Sequence, residues 1–195
     1  MTQTVLHLHG FLSGPGSKKA CVLRDLCEAK GANFVAPDLN MSPEDAASLI
    51  WSEYEKAAVV GEVAVAGASL GGFYAAWLAG CTGIRAALLN PAVEPWDIVK
   101  LYNGEYKSFT GDKIVRVTPD YADQLRALDA APFADPTRVL MVLCTGDEVL
   151  DWRRAATRFS DVQSIVIDGS DHRISCFEEY AAAVRDFLLA GSGRF

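Results

Sequence analysis

The sequence predicts an α/β protein, a three-layer sandwich around a mostly parallel sheet of about six strands. Three observations point there. Short β-type runs alternate with longer amphipathic ones along most of the chain, as βα units wound around parallel strands must. One run, Glu62 to Ala68, is apolar almost throughout, as expected of a central strand covered on both faces. The length of 195 residues, 50% of them hydrophobic, suffices for one well-buried core and not for two comfortable ones, so a single domain over 1–195 is expected.

The elements follow in order. Thr4 to His9 reads as a strand, and Ser17 to Lys30 as a helix that Gly31 ends. Asn33 to Ala36 is a second, short strand. The next helix opens at Ser42, with Pro43 in its first position and Asp45 three residues after the cap, and runs to about Val60. After the Glu62 to Ala68 strand, Leu70 to Gly80 is rich in Ala and aromatics and hydrophobic most of the way round, the mark of a buried helix. Ile84 to Asn90, Arg138 to Thr145 and Val162 to Asp168 complete the strands, with helices at about Trp152 to Ser160 and Cys176 to Ala190. Between Pro91 and Pro136 the rhythm breaks: an insertion over about 92–136 carries Trp96, Tyr102, Tyr106, Phe109 and Tyr121 and ends in a helix that begins near Pro119. Such a segment after a strand's C-terminal end either covers the sheet edge or forms a small cap that lines a substrate pocket.

Composition narrows the function classes. The formal charge is 18 − 25 = −7, and the pI is near 4.9, which argues against nucleic-acid binding because phosphate recognition needs a cationic footprint. No run is long and apolar enough for a membrane span, and the first residues lack the basic and apolar regions of a secretory signal. The five cysteines, Cys21, Cys27, Cys81, Cys144 and Cys176, form an odd set without a C-x-x-C pair, so reduced thiols are expected. With three histidines, His7, His9 and His172, there are few nitrogen ligands, and no metal site is expected.

The decisive segment is Gly67-Ala68-Ser69-Leu70-Gly71-Gly72, where an apolar strand must turn abruptly into a helix. G-x-S-x-G at such a turn is a nucleophile elbow, which exposes the serine hydroxyl while small flanking residues let strand and helix pass closely. A serine needs a base to take its proton and a third group to orient that base, and on this scaffold the order along the chain is serine, acid, histidine. His172 is the one histidine after Ser69, in the polar turn that follows the Val162 to Asp168 strand. For the acid, Asp147 follows the Arg138 to Thr145 strand most directly; Glu148 and Asp151 are neighbours of the right chemistry, and Asp171 beside the histidine is expected to point away. The loop His9 to Ser17 after the first strand offers one oxyanion donor and the residue after the serine another, so the backbone N–H groups of Phe11 and Leu70 are the candidates. His9 reads as a hydrogen-bonder that shapes this loop and His7 as a strand residue.

Several blocks, His9-Gly10-Phe11, Ser17-Lys18-Lys19-Ala20, Gly67 to Ala75, Asn90-Pro91-Ala92-Val93 and Thr145 to Asp151, resemble the bacterial YqiA family of small esterases almost end to end. The resemblance implies a compact α/β-hydrolase fold with Ser69, Asp147 and His172 in the catalytic positions, acting in the bacterial cytoplasm on carboxylic esters or acyl thioesters without a cofactor. Two departures stand out. Where the family commonly has Asn-Pro-Tyr-Thr-Gly this chain reads Lys107-Ser108-Phe109-Thr110-Gly111, and where it commonly has Gly-Asn-His this chain reads Ser170-Asp171-His172.

The expected chemistry is acyl transfer through an acyl-enzyme on Ser69, with a small-molecule ester or thioester as partner. The competing readings are a catalytically silent binding protein on the same scaffold, a serine peptidase or an acyltransferase. An anionic acyl-CoA would need a local basic patch, and Lys18, Lys19 and Arg24 beside the oxyanion loop are where the sequence offers one.

Overall fold

Strand periodicity decides the layers. The computed structural model describes residues 2–109 and 113–190. In its first strand, β1 (Thr2–Leu8), Val5 faces one side of the sheet while Leu6 and Leu8 face the other. In β7 (Val139–Cys144) the alternation is complete: Val139, Met141 and Leu143 go to one core, Leu140, Val142 and Cys144 to the opposite one. A strand that is apolar on both faces needs helices on both, and the chain supplies them. One face is covered by α1 (Lys18–Glu28) and α7 (Phe177–Leu188), through Leu23, Cys27, Phe177, Val184 and Leu188. The other is covered by α2 (Pro43–Val60), α3 (Leu70–Thr82) and α6 (Trp152–Arg158).

With β2 (Asn33–Val35), β3 (Gly61–Ala68), β4 (Arg85–Leu89) and β8 (Gln163–Ile167), the sheet has six parallel strands in the order β2-β1-β3-β4-β7-β8. From β1 the chain first moves outward to β2, then crosses back to β3 and proceeds the other way. The strand order therefore reverses between β1 and β3, whose ends are in register at Leu8 and Gly67. At such a reversal the two following loops diverge onto opposite faces and leave a crevice at the C-terminal edge.

Helix starts follow local chemistry. Ser17 caps α1 by accepting from Ala20 N–H, and Ser42 caps α2 by accepting from Asp45 N–H at 3.2 Å, with Pro43 in the first turn.

The insertion holds more regular structure than its sequence rhythm suggests. After the short helix α4 (Trp96–Val99) and a 3₁₀ turn at Lys100–Tyr102, β5 (Gly104–Lys107) and β6 (Ile114–Val117) pair antiparallel, and α5 (Tyr121–Ala127) follows. The hairpin is the element that periodicity missed. Its signal is one run of four, Ile114-Val115-Arg116-Val117, in which Val115 and Val117 are buried and their neighbours exposed. Of the Lys107 to Gly111 departure, Thr110 and Gly111 lie outside the described residues. Within the described residues no helix is long and apolar enough to cross a membrane.

Candidate active site

The turn from β3 into α3 sets Ser69 at φ 55°, ψ −120°, a conformation that costs a non-glycine residue roughly 1–3 kcal/mol and persists only where its surroundings enforce it. The surroundings here are backbone. Ser69 N–H donates to Leu89 O at 3.0 Å, and Ser69 O accepts from Ala92 N–H at 3.0 Å. Two glycines permit the approach: a Cβ on Gly67 would fall 2.0 Å from Gly71 O, and one on Gly71 would fall 2.0 Å from Leu8 O. The spacing G-x-S-x-G is thus a steric requirement of crossing α3 over the ends of β1 and β3.

The loops after β7 and β8 bring two side chains to this serine. His172 Nε2 lies 3.0 Å from Ser69 Oγ, and His172 Nδ1 lies 2.8 Å from Asp147 Oδ2. The Asp147 side chain is 1% exposed and that of His172 17% exposed, so the acid is shielded from water while the ring keeps partial access to it. Burial pushes the Asp147 carboxyl upward, but the hydrogen bonds from His172 and from the N–H groups of Leu150 and Val149 outweigh it and hold the pKa below the ordinary value. Glu148 serves elsewhere, accepting from His172 N–H at 2.9 Å, and Asp151 caps α6. Asp171 turns to Ser175, accepting from its N–H at 2.8 Å and its hydroxyl at 2.7 Å. Ser170 sits at φ 55°, which gives a physical reason for the glycine the family commonly has there.

The oxyanion candidates are also at hand. Leu70 opens α3, so its N–H has no intrahelical partner, and neither it nor the Phe11 N–H is hydrogen-bonded among the described residues. His9 orders the loop. Its Nδ1–H donates to Gly10 O at 2.8 Å and its Nε2 accepts from Leu39 N–H at 2.8 Å. Burial pushes its pKa down, which keeps the ring in the neutral form this pattern requires. Gly10 O and Phe11 N–H belong to one trans peptide and point in opposite directions, so holding the carbonyl also aims the N–H.

Asn90 carries a role that no sequence signal announced. Its backbone is left-handed at φ 41°, a region asparagine tolerates better than most residues. Its Oδ1 accepts from Cys144 N–H at 2.9 Å, and its Nδ2 donates to Asp171 O at 3.3 Å and His172 O at 3.2 Å. One buried amide therefore ties the end of β7 to the His172 loop, immediately beside the bonds that brace Ser69. Its place in the Asn90-Pro91-Ala92-Val93 block was the available clue.

The basic patch expected at Lys18, Lys19 and Arg24 is committed to other contacts. Lys19 Nζ donates to Arg173 O at 2.6 Å beneath the His172 loop, Arg24 stacks over Phe34 at 5.4 Å, and Lys18 pairs with Glu178 at 2.9 Å. All five cysteines are free thiols, and among the described residues no cluster of His, Cys, Asp or Glu is arranged to hold a metal ion.

A parallel sheet whose third strand turns through such an elbow, with a histidine and a carboxylate on later loops, has the architecture of the α/β-hydrolase fold. Solved structures share it. Alpha/beta hydrolase domain-containing protein 10 from mouse superposes with a TM-score of 0.76 at 16% identity, over 96% of this chain and 89% of that one. Est1E from Butyrivibrio proteoclasticus gives 0.71 at 16% identity, over 97% and 87%. The Paleococcus ferrophilus monoacylglycerol lipase gives 0.69 at 16%, over 96% and 94%. Within this fold the chain belongs to the uncharacterised protein family UPF0227, the YqiA family, whose model matches residues 4–189.

Proposed function

We propose that this chain is a serine hydrolase that cleaves carboxylic esters, and acyl thioesters by the same route, through an acyl-enzyme on Ser69. The observation that carries this reading is the continuous relay from Ser69 Oγ to His172 Nε2 at 3.0 Å and from His172 Nδ1 to Asp147 Oδ2 at 2.8 Å. Ser69 Oγ attacks the acyl carbon as its proton passes to Nε2. The Asp147 carboxylate stabilises the imidazolium and fixes the ring. The carbonyl oxygen, now an oxyanion, accepts from the N–H groups of Leu70 and Phe11, each worth about 2.7–4 kcal/mol in the transition state. Collapse of the intermediate breaks the bond to the leaving alkoxide or thiolate, which takes the proton from Nε2. Water then attacks the acyl-enzyme with His172 again as base, and the acid product leaves.

The intact relay argues against a silent binding protein, and solved neighbours named as an esterase and a lipase make ester chemistry the natural class. The free thiols accord with action in the bacterial cytoplasm. The test is a small alkyl fluorophosphonate with peptide mapping, alongside hydrolysis of p-nitrophenyl acetate. Labelling of Ser69 in the folded protein together with turnover is expected; absence of both overturns the reading.

A further inference from the structure

We infer that the acyl group taken by this site carries a hydroxyl or a ketone a few carbons from its ester, and that the Tyr74 hydroxyl recognises it. The inference rests on the ester-hydrolase reading and adds the class of acyl group to it.

A cavity opens beside both oxyanion candidates, Phe11 and Leu70, and is lined also by Asn40, Tyr74 and Tyr121. An acyl group whose carbonyl oxygen accepts from those two N–H groups lies at this cavity. Leu70 and Tyr74 stand four residues apart on α3, on one face and about one turn of 5.4 Å along it. A substituent a few carbons along the acyl chain therefore comes level with Tyr74. The cavity is open to solvent in part, so the chain beyond that substituent is not confined.

Tyr74 is the unusual member of this lining. It is 2% exposed, belongs to the main core and packs edge-on against Phe73 at 5.7 Å. Buried tyrosines ordinarily give their hydroxyl a partner. The Tyr74 hydroxyl has none among the described residues, and neither has that of Tyr121, which is 7% exposed. Nor is it sealed in: among the described residues the fully enclosed side-chain polar atoms without a partner belong to His7, Arg85, Arg138 and Trp152. The open space in front of Tyr74 is the cavity it lines. Burial pushes the pKa of both phenols up, so at neutral pH each hydroxyl can donate as well as accept. Asn40 donates from Nδ2 to Ser13 O at 2.7 Å and to Asp38 Oδ1 at 2.8 Å, and leaves its own Oδ1 without a partner among the described residues. A hydroxyl or ketone oxygen entering here accepts from Tyr74, whereas a plain methylene in the same place leaves that hydroxyl unpaired and dry.

The experiment measures kcat/KM on pairs of p-nitrophenyl esters, each polar acyl group against its plain partner: β-hydroxybutanoate and butanoate, levulinate and pentanoate, δ-oxohexanoate and hexanoate. The wild type should favour the polar ester by at least about tenfold in one pair, because a site built to hydrogen-bond a substrate group discriminates against the analogue that lacks it. Tyr74→Phe breaks no hydrogen bond of the folded chain and keeps the ring that packs on Phe73. It should cut that ratio by at least about fivefold, and Tyr121→Phe by less. Intrinsic ester reactivity cancels, since the same pair is compared between enzymes. Circular dichroism and fluorophosphonate labelling of Ser69 accompany every protein. A labelled wild type that favours no polar ester, or a preference that survives Tyr74→Phe, overturns the inference. A wild type that neither labels nor hydrolyses any of these esters overturns the hydrolase reading itself.

Discussion

The elbow after β3 and the insertion after β4 line one cavity together, through Leu70 on one side and Val99, Val115, Tyr121 and Leu125 on the other, yet different forces hold them. Ser69 is fixed by backbone hydrogen bonds on both its N–H and its carbonyl, and by glycine contacts too close for any Cβ. The hairpin of the insertion is held by apolar packing around Leu12, Val115, Val117 and Tyr121, a backbone bond from Phe109 N–H to Leu12 O, and an exposed ion pair between Lys113 and Asp38 at 3.1 Å. Steric and hydrogen-bonded constraints admit one geometry, whereas apolar packing tolerates change of volume and shape.

Perturbations on the two sides should differ in size and kind. Ser69→Ala should give the largest effect, a loss of about 10⁴-fold or more in kcat with the fold unchanged by circular dichroism. Asp147→Asn should cost about 10⁴-fold in kcat by leaving the ring in the wrong tautomer. Retention of more than a tenth of activity in either would break the assignment. Asn90→Ala leaves Cys144 N–H and the carbonyls of Asp171 and His172 without their partner, so urea titration should show a loss of about 1–3 kcal/mol. Slippage of the His172 loop should lower kcat by up to about 10²-fold with little change in KM; a change confined to KM would count against a positioning role.

A fourth perturbation is pH. His7, on β1, is fully buried, neither ring nitrogen finds a hydrogen-bond partner among the described residues, and burial lowers its pKa from 6.5 to about 3. Between those values the unfolded chain takes up a proton that the folded one refuses. Stability is therefore complete above pH 6.5 and falls as pH drops toward 3, by on the order of 5 kcal/mol from this residue. His7→Leu should flatten that part of the stability-versus-pH curve, and an unchanged slope would refute the cause. Asp147 adds a loss at still lower pH, since its folded pKa lies below the ordinary value of about 3.9 and its contribution vanishes as pH falls through the folded pKa. Smallest of all, Lys113→Ala on the insertion should change stability by at most about 1 kcal/mol, because both partners of its ion pair are exposed. Turnover of p-nitrophenyl acetate by this variant should stay near that of the wild type.

Legibility in the sequence follows the range of the interaction that decides each feature. The caps at Ser17 and Ser42 and the glycine spacing around Ser69 act within a few residues, so a local reading finds them. The hairpin was hidden because each strand is only four residues long and one face of each is solvent-exposed. Asp171 turns to Ser175 only four residues on and was read as pointing away, whereas the role of Glu148 depends on which loop faces which across 24 residues of chain. Asn90 is the extreme case, with partners 54, 81 and 82 residues away.

By itself, then, the sequence determined the sandwich and the strand that leads into Ser69, because period, caps and steric spacing are written in consecutive residues. Only the tertiary structure decided that Asp147 reaches the His172 ring and that Lys18, Lys19 and Arg24 are turned to structural contacts. Those outcomes depend on distances between loops that leave different strands, and such distances are fixed only when the sheet, the helices and the insertion pack together.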